Sequence, residues 1–498
     1  MNTADYLLEH GRGPDAAIIA NKAEYTYADL RHASARLLAE MLALGVGPAD
    51  RVAILGNNSL FWVAAYLATL KLGAVAVPFA TTLTIDSVSA MQSFVNCKVL
   101  LAEKRIQRRF AAAFPVELPT IFDEVLTEDG ATAWPAPAPI DIQQDAALMF
   151  TSGTTAKPRA VRITHRNIQA NTASIIEYLD LGPADRMMAI LQFFYCFGTS
   201  LLHTHLRVGG SLVLSNNFVY PETVLDLMEA TECTGFAGVP STYQTLLRNS
   251  TFPKRQIKSL RKVQQAGGKL QPVLIEELIG AVPAGEVFVM YGQTEATARL
   301  SYLPPALLGT KLGSIGRGIP GVTLRVIGED GQDVNPGEVG EIYAWGDNIS
   351  PGYLEEPEAS AQKFVDGVLH TGDLATVDEE GFIFVVDRKA DFIKTYGYRV
   401  SSQQVENCIV ELPEVVTAAV IGEPDLVRGE AIKAFVVLRA GAQLTADDIL
   451  AHCASRLASY MVPKEIAFID KLPINAHGKI MKTELRKLSA AKEATAPA

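Results

Sequence analysis

The stretch Thr151–Val161, TSGTTAKPRAV, sets three threonines, a serine and a glycine beside a lysine and a proline. It leaves an apolar run, AALMF (146–150), that reads as a buried strand. Gly153 lets the backbone approach a ligand closely. Thr151, Ser152, Thr154 and Thr155 offer hydroxyl and amide donors, and Lys157 adds a mobile point charge, a set suited to phosphate oxygens. A Walker P-loop needs four residues between its glycine and a Gly-Lys-Ser/Thr ending; Gly153 is followed by Thr, Thr, Ala, Lys and Pro, which excludes it. Taken alone, the loop reads equally well as a polar surface turn.

On either side the chain alternates helical and strand patterns. TYADLRHASARLLAEMLALGV carries apolar residues at helical spacing, and RVAILG and KVLLAE are buried-strand runs. WVAAYLATLKLGAVAVPFA reads as a core helix followed by a strand; Lys71 and the Gly and Pro near its end exclude a membrane span. WPAPAPID (134–141) reads as an exposed connector. A second alternating section covers about 145–310. From about 313 to 387 short strands separated by Gly, Pro and Asp turns suggest a small β-barrel or meander. Beyond Arg388 the pattern is compact α+β, with a capping box expected at Ser401 and Gln404, a helix opening at Thr445, and a frayed tail, SAAKEATAPA. The fold class is therefore α/β: a large N-terminal domain (1–387) of two αβ-layered subdomains plus a small β-barrel, then a small α+β C-terminal domain (388–498).

The formal charge of −11 opposes polyanion binding, so nucleic acid is not an expected partner. The cysteines, Cys97, Cys196, Cys233, Cys408 and Cys453, are scattered without CxxC spacing, which points away from disulfides or structural zinc and towards a reducing, cytoplasmic setting. MNTADYLLEHG has neither the basic nor the apolar region of a signal peptide.

Four further motifs follow in order: YGQTEA (291–296), HTGDL (370–374), DRKADFIKTYGYRVSSQQVE (387–406) and PINAHGKIMKTEL (473–485). With the opening loop they make the chain, from about residue 25 to 488, resemble the adenylate-forming superfamily: acyl-CoA synthetases, adenylation domains of peptide synthetases, and luciferases. The resemblance implies ATP-dependent activation of a small carboxylic acid to an acyl-adenylate, releasing pyrophosphate. A thiol then displaces AMP, and the acceptor is coenzyme A or the phosphopantetheine of a free-standing carrier protein.

It also implies roles. Residues Thr151 to Thr155 and Lys157 would hold the β- and γ-phosphates; Thr294 would donate to phosphate, and Glu295 would bind Mg²⁺. Gly267 and Gly268 would let the adenine or acyl group lie against the backbone, with Tyr291 and Gly292 near the adenine. Asp373 would accept from the ribose hydroxyls, and Arg388 would assist at ribose or phosphate. Lys479, on the small domain, would bridge the attacking carboxylate and the α-phosphate. The small domain would be mobile, rotating near 388 between half-reactions so that Gly397 lines a thiol channel in the second pose. Each motif also has a plainer reading: a helix-start acid for Glu295, a turn for Gly267-Gly268, a linker arginine for Arg388, an exposed lysine for Lys479.

The acyl pocket would draw on Tyr195, Cys196, Phe197, Val239 and Ala266. No acid stands near Tyr195 to hold an α-ammonium, which speaks against an amino acid. Phe193, Phe194, Tyr195 and Phe197 suit an apolar or aromatic acid, or simply sheet packing. Ala156 and Ala160 stand where the family usually has glycine, and the hinge position falls at Ala390 or Asp391. The competing readings are an enzyme that stops at the adenylate, as fatty acyl-AMP ligases do, a luciferase-like oxygenase, and a silent nucleotide-binding regulator.

Overall fold

The computed structural model describes residues 1–20, 23–127, 133–136, 139–151, 159–388, 392–425, 427–475 and 480–493. Two layered sheets form the bulk of the chain. The six-stranded sheet runs, in spatial order, Thr120–Phe122, Val99–Ala102, Arg51–Leu55, Val75–Phe79, Asp145–Thr151 and Arg159–Thr164, parallel except for the last pair. The nine-stranded sheet has a parallel centre, Ser211–Leu214, Arg186–Ala189, Gly235–Gly238, Lys262–Gln265 and Glu286–Tyr291, with antiparallel pairs at both edges. One edge is Ala16–Ala20 with Ala23–Thr26, so the N-terminal strands join the second sheet and not the one that follows them in sequence.

The helix Leu60–Leu72 is apolar around its whole circumference because it is sandwiched: Trp62, Tyr66 and Leu67 are all fully buried. Its Ser59 cap accepts from the Trp62 amide, and Gly73, at φ 74°, ends it. Lys71 is not a surface interruption. It is buried in an ion pair with Asp5 at 2.6 Å, and the Trp134 indole lies over it at 5.1 Å and donates to the same carboxylate. The connector expected to be exposed is pinned there by one aromatic anchor.

After the two layers comes a five-stranded antiparallel sheet built from Val322–Ile327, Gly340–Gly346, Phe364–Val365, Val368–Val377 and Ile383–Arg388. The C-terminal sheet pairs Phe392–Thr395, Tyr398–Ser401, Val415–Asp425, Gly429–Leu438 and Glu465–Phe468, flanked by helices Ser402–Val410, Ala446–Arg456 and Lys482–Glu493. Two sequence expectations change here. Ser401 is the N-cap, yet it makes no cap hydrogen bond; its hydroxyl is bonded to Asp387, a partner no local pattern announces. The expected frayed tail is helical through Glu493, because Ser489 is buried and accepts from Lys433 at 2.6 Å.

The small domain rests on the large one through a buried arginine. Arg248, with a fully buried side chain, pairs with Glu277 at 2.7 Å and donates to the carbonyls of Val410, Leu412 and Val415. Those carbonyls run from the last residue of helix Ser402–Val410 to the first of strand Val415–Asp425, so one guanidinium ties down the turn between them.

Candidate active site

Most of the expected site residues lie just past the carboxyl ends of parallel strands, where open α/β sheets place ligands. Val239 follows Gly235–Gly238, Ala266 to Gly268 follow Lys262–Gln265, and Gly292 follows Glu286–Tyr291. Gly267, Gly268, Tyr291 and Gly292 border a solvent-open cleft of about 100 Å³ together with Ser314 and, from the antiparallel sheet, Asp373. Tyr291 and Asp373 come from different sheets and meet in a hydrogen bond of 2.5 Å from the phenol to Oδ2. Asp373 is 8% exposed, so its carboxylate faces the cleft and little else. Gly292 is obligatory: a Cβ there would stand 1.9 Å from the Ala298 carbonyl oxygen. Gly267 has φ +88°, and a Cβ would meet Val239 at 2.9 Å and the Tyr195 hydroxyl at 3.2 Å. Gln403 of the C-terminal domain borders the same cleft, as does Lys269, whose ammonium donates to the Val385 carbonyl. Burial pushes the Lys269 pKa down.

The two strands that bracket the hydroxyl-rich stretch are antiparallel, with Thr151 paired to Arg159. Ser152, Gly153, Thr154, Thr155 and Lys157, with Ala156, lie outside the described residues. Ala160 is fully buried in extended backbone and has no positive φ, so it costs no strain where glycine was the family habit. The strand pair is tied to the segment after Ser350: Arg159 pairs with Glu356 at 3.1 Å, and its guanidinium lies 5.2 Å over the Tyr353 ring. Tyr353 in turn donates to Oε1 of Glu295 at 2.9 Å. Burial and then the Glu295 carboxylate hold the Tyr353 phenol far above its ordinary pKa, so it stays a donor. Oε2 of Glu295 has no hydrogen bond among the described residues, which leaves a hard oxygen ligand for a divalent cation. Thr294 starts the same short turn, and its hydroxyl shares a 3.4 Å contact with the Cys196 thiol.

Sequence reasoning missed Tyr353, Arg159, Glu356 and Thr297. Tyr353 and Glu356 sit in a segment whose pairing partner, Val161, is remote in sequence. Thr297 holds φ +67°, a conformation a β-branched residue adopts only when its surroundings impose it; here its hydroxyl bonds the Asn348 carbonyl. No sequence signal marks it.

On the acyl side, Tyr195 precedes helix Cys196–Val208, and Phe197, Val239 and Ala266 share one apolar cluster with Met290 and Phe288. Phe193 does not join it. It packs on Trp62 in the core of the first layer, at 5.4 Å between rings, so it is a packing residue. Phe194 is 4% exposed and also buried.

Lys479, Ala390 and Asp391 lie outside the described residues. Arg388 ends strand Ile383–Arg388 and pairs in register with Asp373, which brings its backbone to the cleft wall. Gly397 turns the hairpin between Phe392–Thr395 and Tyr398–Ser401 at φ +82°, with Tyr396 and Tyr398 exposed on either side. In this structure it faces solvent.

The profile of the AMP-binding enzyme family matches residues 9–354, and that of the AMP-binding enzyme C-terminal domain matches 404–479. A feruloyl-CoA synthase from an Amycolatopsis species is 35% identical over 93% of both chains. A fatty acid–[acyl-carrier-protein] ligase, ScoC, from Streptomyces coeruleorubidus is 30% identical over 94% of this chain and 92% of its own. The o-succinylbenzoate coenzyme A synthetase (MenE) of Bacillus subtilis, solved with ATP and a magnesium ion, superposes with a TM-score of 0.85 at 29% identity, covering 97% of this chain and 99% of that one.

Proposed function

The chain belongs to the AMP-binding enzyme family and is an AMP-forming acid–thiol ligase, and from that premise we propose which residues carry each half-reaction. The observation that supports the assignment most is the pairing of Tyr291 with Asp373 on the wall of the cleft, in a chain where Tyr353 separately fixes Glu295.

In the first half-reaction an acid oxygen bonds the α-phosphorus and the bond to pyrophosphate breaks. Charge develops on phosphate oxygens, so the chain's task is positioning and neutralisation. Asp373 takes the ribose hydroxyls, its Oδ2 held in place by Tyr291. The stretch from Thr151 through Lys157 holds the β- and γ-phosphates, and Thr294 donates to phosphate. Glu295, fixed by Tyr353, supplies the carboxylate for Mg²⁺, which when bound neutralises phosphate charge. Lys479 approaches from the small domain and bridges the reactants. In the second half-reaction the thiol sulfur bonds the acyl carbon and the bond to AMP breaks; Gly397 then lines the thiol's path. The domain break lies at 388, so the two poses differ in which small-domain segment meets the cleft.

Coenzyme A is the favoured acceptor, because the feruloyl-CoA synthase is the more similar relative. The carrier-protein acceptor is the second reading, favoured by the similarity to ScoC. Pyrophosphate release over a panel of carboxylic acids tests the first half-reaction. AMP release that depends on coenzyme A, against release that depends on a holo carrier protein, decides the acceptor. Pyrophosphate without any thiol-dependent AMP release would reduce the enzyme to an adenylate-forming one, and no pyrophosphate at all would overturn the assignment.

A further inference from the structure

The polar side chains that border the nucleotide cleft are Gln265, Lys269, Tyr291, Ser314, Asp373 and Gln403. All but the glutamines are held by partners. Tyr291 and Asp373 bond each other, and the Lys269 ammonium donates to the Val385 carbonyl at 2.9 Å. The Ser314 hydroxyl donates to the Ile383 carbonyl and accepts from the Gly316 amide. Each glutamine keeps an amide oxygen in reserve. Gln265 donates from Nε2 to the Gly268 carbonyl at 2.8 Å, and its oxygen makes no hydrogen bond among the described residues. A flipped amide would set oxygen against oxygen there, so the acceptor end of Gln265 has one orientation. Gln403 Oε1 is buried and has no hydrogen-bond partner among the described residues. An acceptor left unpaired in this way costs free energy that a ligand donor would return.

The two glutamines come from different domains. Gln265 ends strand Lys262–Gln265 of the nine-stranded sheet, and Gln403 lies in the first turn of helix Ser402–Val410 in the small domain. The head of that helix is fastened to the large domain. Asp387, 1% exposed, belongs to strand Ile383–Arg388, and its Oδ2 accepts from the hydroxyls of Ser401 at 2.9 Å and Ser402 at 3.3 Å. Ser402 also accepts from the Lys482 ammonium at 2.6 Å, and Lys482 pairs with the buried Glu406. This network sets Gln403 at the cleft. From strand Glu286–Tyr291, the neighbouring wall residues Val289 and Met290 bring no polar side chain able to read a base edge by charge or amide.

We propose that Gln265 and Gln403 read the base of the nucleotide, their amide oxygens accepting the two hydrogens of adenine's exocyclic amine, one from each domain. This rests on the nucleotide-cleft reading above and adds its base-specificity residues. Adenine presents an amine where guanine presents a carbonyl oxygen. The amine satisfies both glutamine oxygens; the carbonyl leaves both unpaired. Because one reader belongs to the small domain, adenine binding also favours the pose in which Gln403 meets the cleft.

The test is isothermal titration of the full-length enzyme with ATP, with GTP, and with purine riboside triphosphate, which differs from ATP only in lacking the amine. The wild type should bind ATP about tenfold more tightly than purine riboside triphosphate, and GTP more weakly still. Gln403→Leu should shrink the first ratio to about threefold by weakening ATP alone, and Gln265→Leu should act likewise. Gln403→Glu keeps an acceptor and should keep the ratio. A merely structural role would weaken ATP and purine riboside triphosphate together. Circular dichroism checks folding; if Gln265→Leu fails to fold, the two Gln403 variants decide. Equal wild-type affinity for ATP and purine riboside triphosphate, or a ratio unchanged in Gln403→Leu, would overturn the base-reading role while leaving the ligase intact. Failure of the wild type to bind ATP at all would instead remove the nucleotide cleft and this inference with it.

Discussion

On the nucleotide side of the cleft, Tyr291 and Asp373 close a 2.5 Å hydrogen bond, and Glu295 is held by Tyr353. On the acyl side, Tyr195 and Val239 close over Gly267, and Phe197, Val239 and Ala266 share one apolar cluster. Both sides hang from the same parallel strands. The difference follows from what each must recognise. A nucleotide always presents the same ribose and phosphates, so its partners can be prearranged and paired with one another. The acid is peculiar to this enzyme, so its pocket is written in packing. The lesson is that a site's constant half shows itself by polar groups held in place by neighbours and its variable half by apolar shape.

The sharpest way to break this contrast is Lys479→Ala. Adenylation should fall by roughly 10²–10³-fold, the scale of a lost transition-state donor, while thiol attack on a supplied acyl-adenylate is spared. Equal loss in both half-reactions would place the lysine in a fixed site. Next in size is Asp373→Ala, which removes a charged acceptor and should weaken ATP binding by about 10–100-fold with the KM of the acid unmoved. Isothermal titration with ATP reads this, and an acid KM that shifts equally would merge the two halves.

Acid titration probes the acyl side, whose helix Cys196–Val208 carries His203 and His205. Burial lowers their pKa to about 3 and about 4, below the ordinary histidine value. The unfolded chain therefore takes up protons first. The stability they contribute is complete above about pH 6.5 and is lost as pH falls towards 4, by about 1.4 kcal/mol per pH unit for each histidine. Urea melts at pH 7 and pH 5.5 should show that loss, and a flat profile would mean that the folded helix binds the protons too. The smallest effect expected is Tyr353→Phe. It deletes a single hydrogen bond to Glu295 and should raise the magnesium requirement about fivefold with little change in melting temperature. A change in acid preference instead would show that Tyr353 serves the other half.

Much of this architecture could be read along the chain. The helix Tyr27–Ala43, the strands Arg51–Leu55 and Val99–Ala102, and the step from Lys262–Gln265 to Glu286–Tyr291 carry their periodicity locally. So does Thr445, which opens its helix as expected and closes a capping box with Asp448. Ser401 shows the limit: its residue type announces a cap, but its hydroxyl found Asp387 across the domain boundary. Phe193 and Phe197 are indistinguishable in sequence, and only the fold turned one onto Trp62 and left the other under Arg299.

The sequence by itself determined the family and the order of its motifs, because each motif is a short run whose chemistry does not depend on distant neighbours. Only the tertiary structure decided which groups are paired. That Arg248 is satisfied depends on contacts between residues more than a hundred positions apart, such as Arg248 with Val410, and on burial, which no linear pattern contains. Charge compensation is a property of three-dimensional surroundings, and no run of residues announces it.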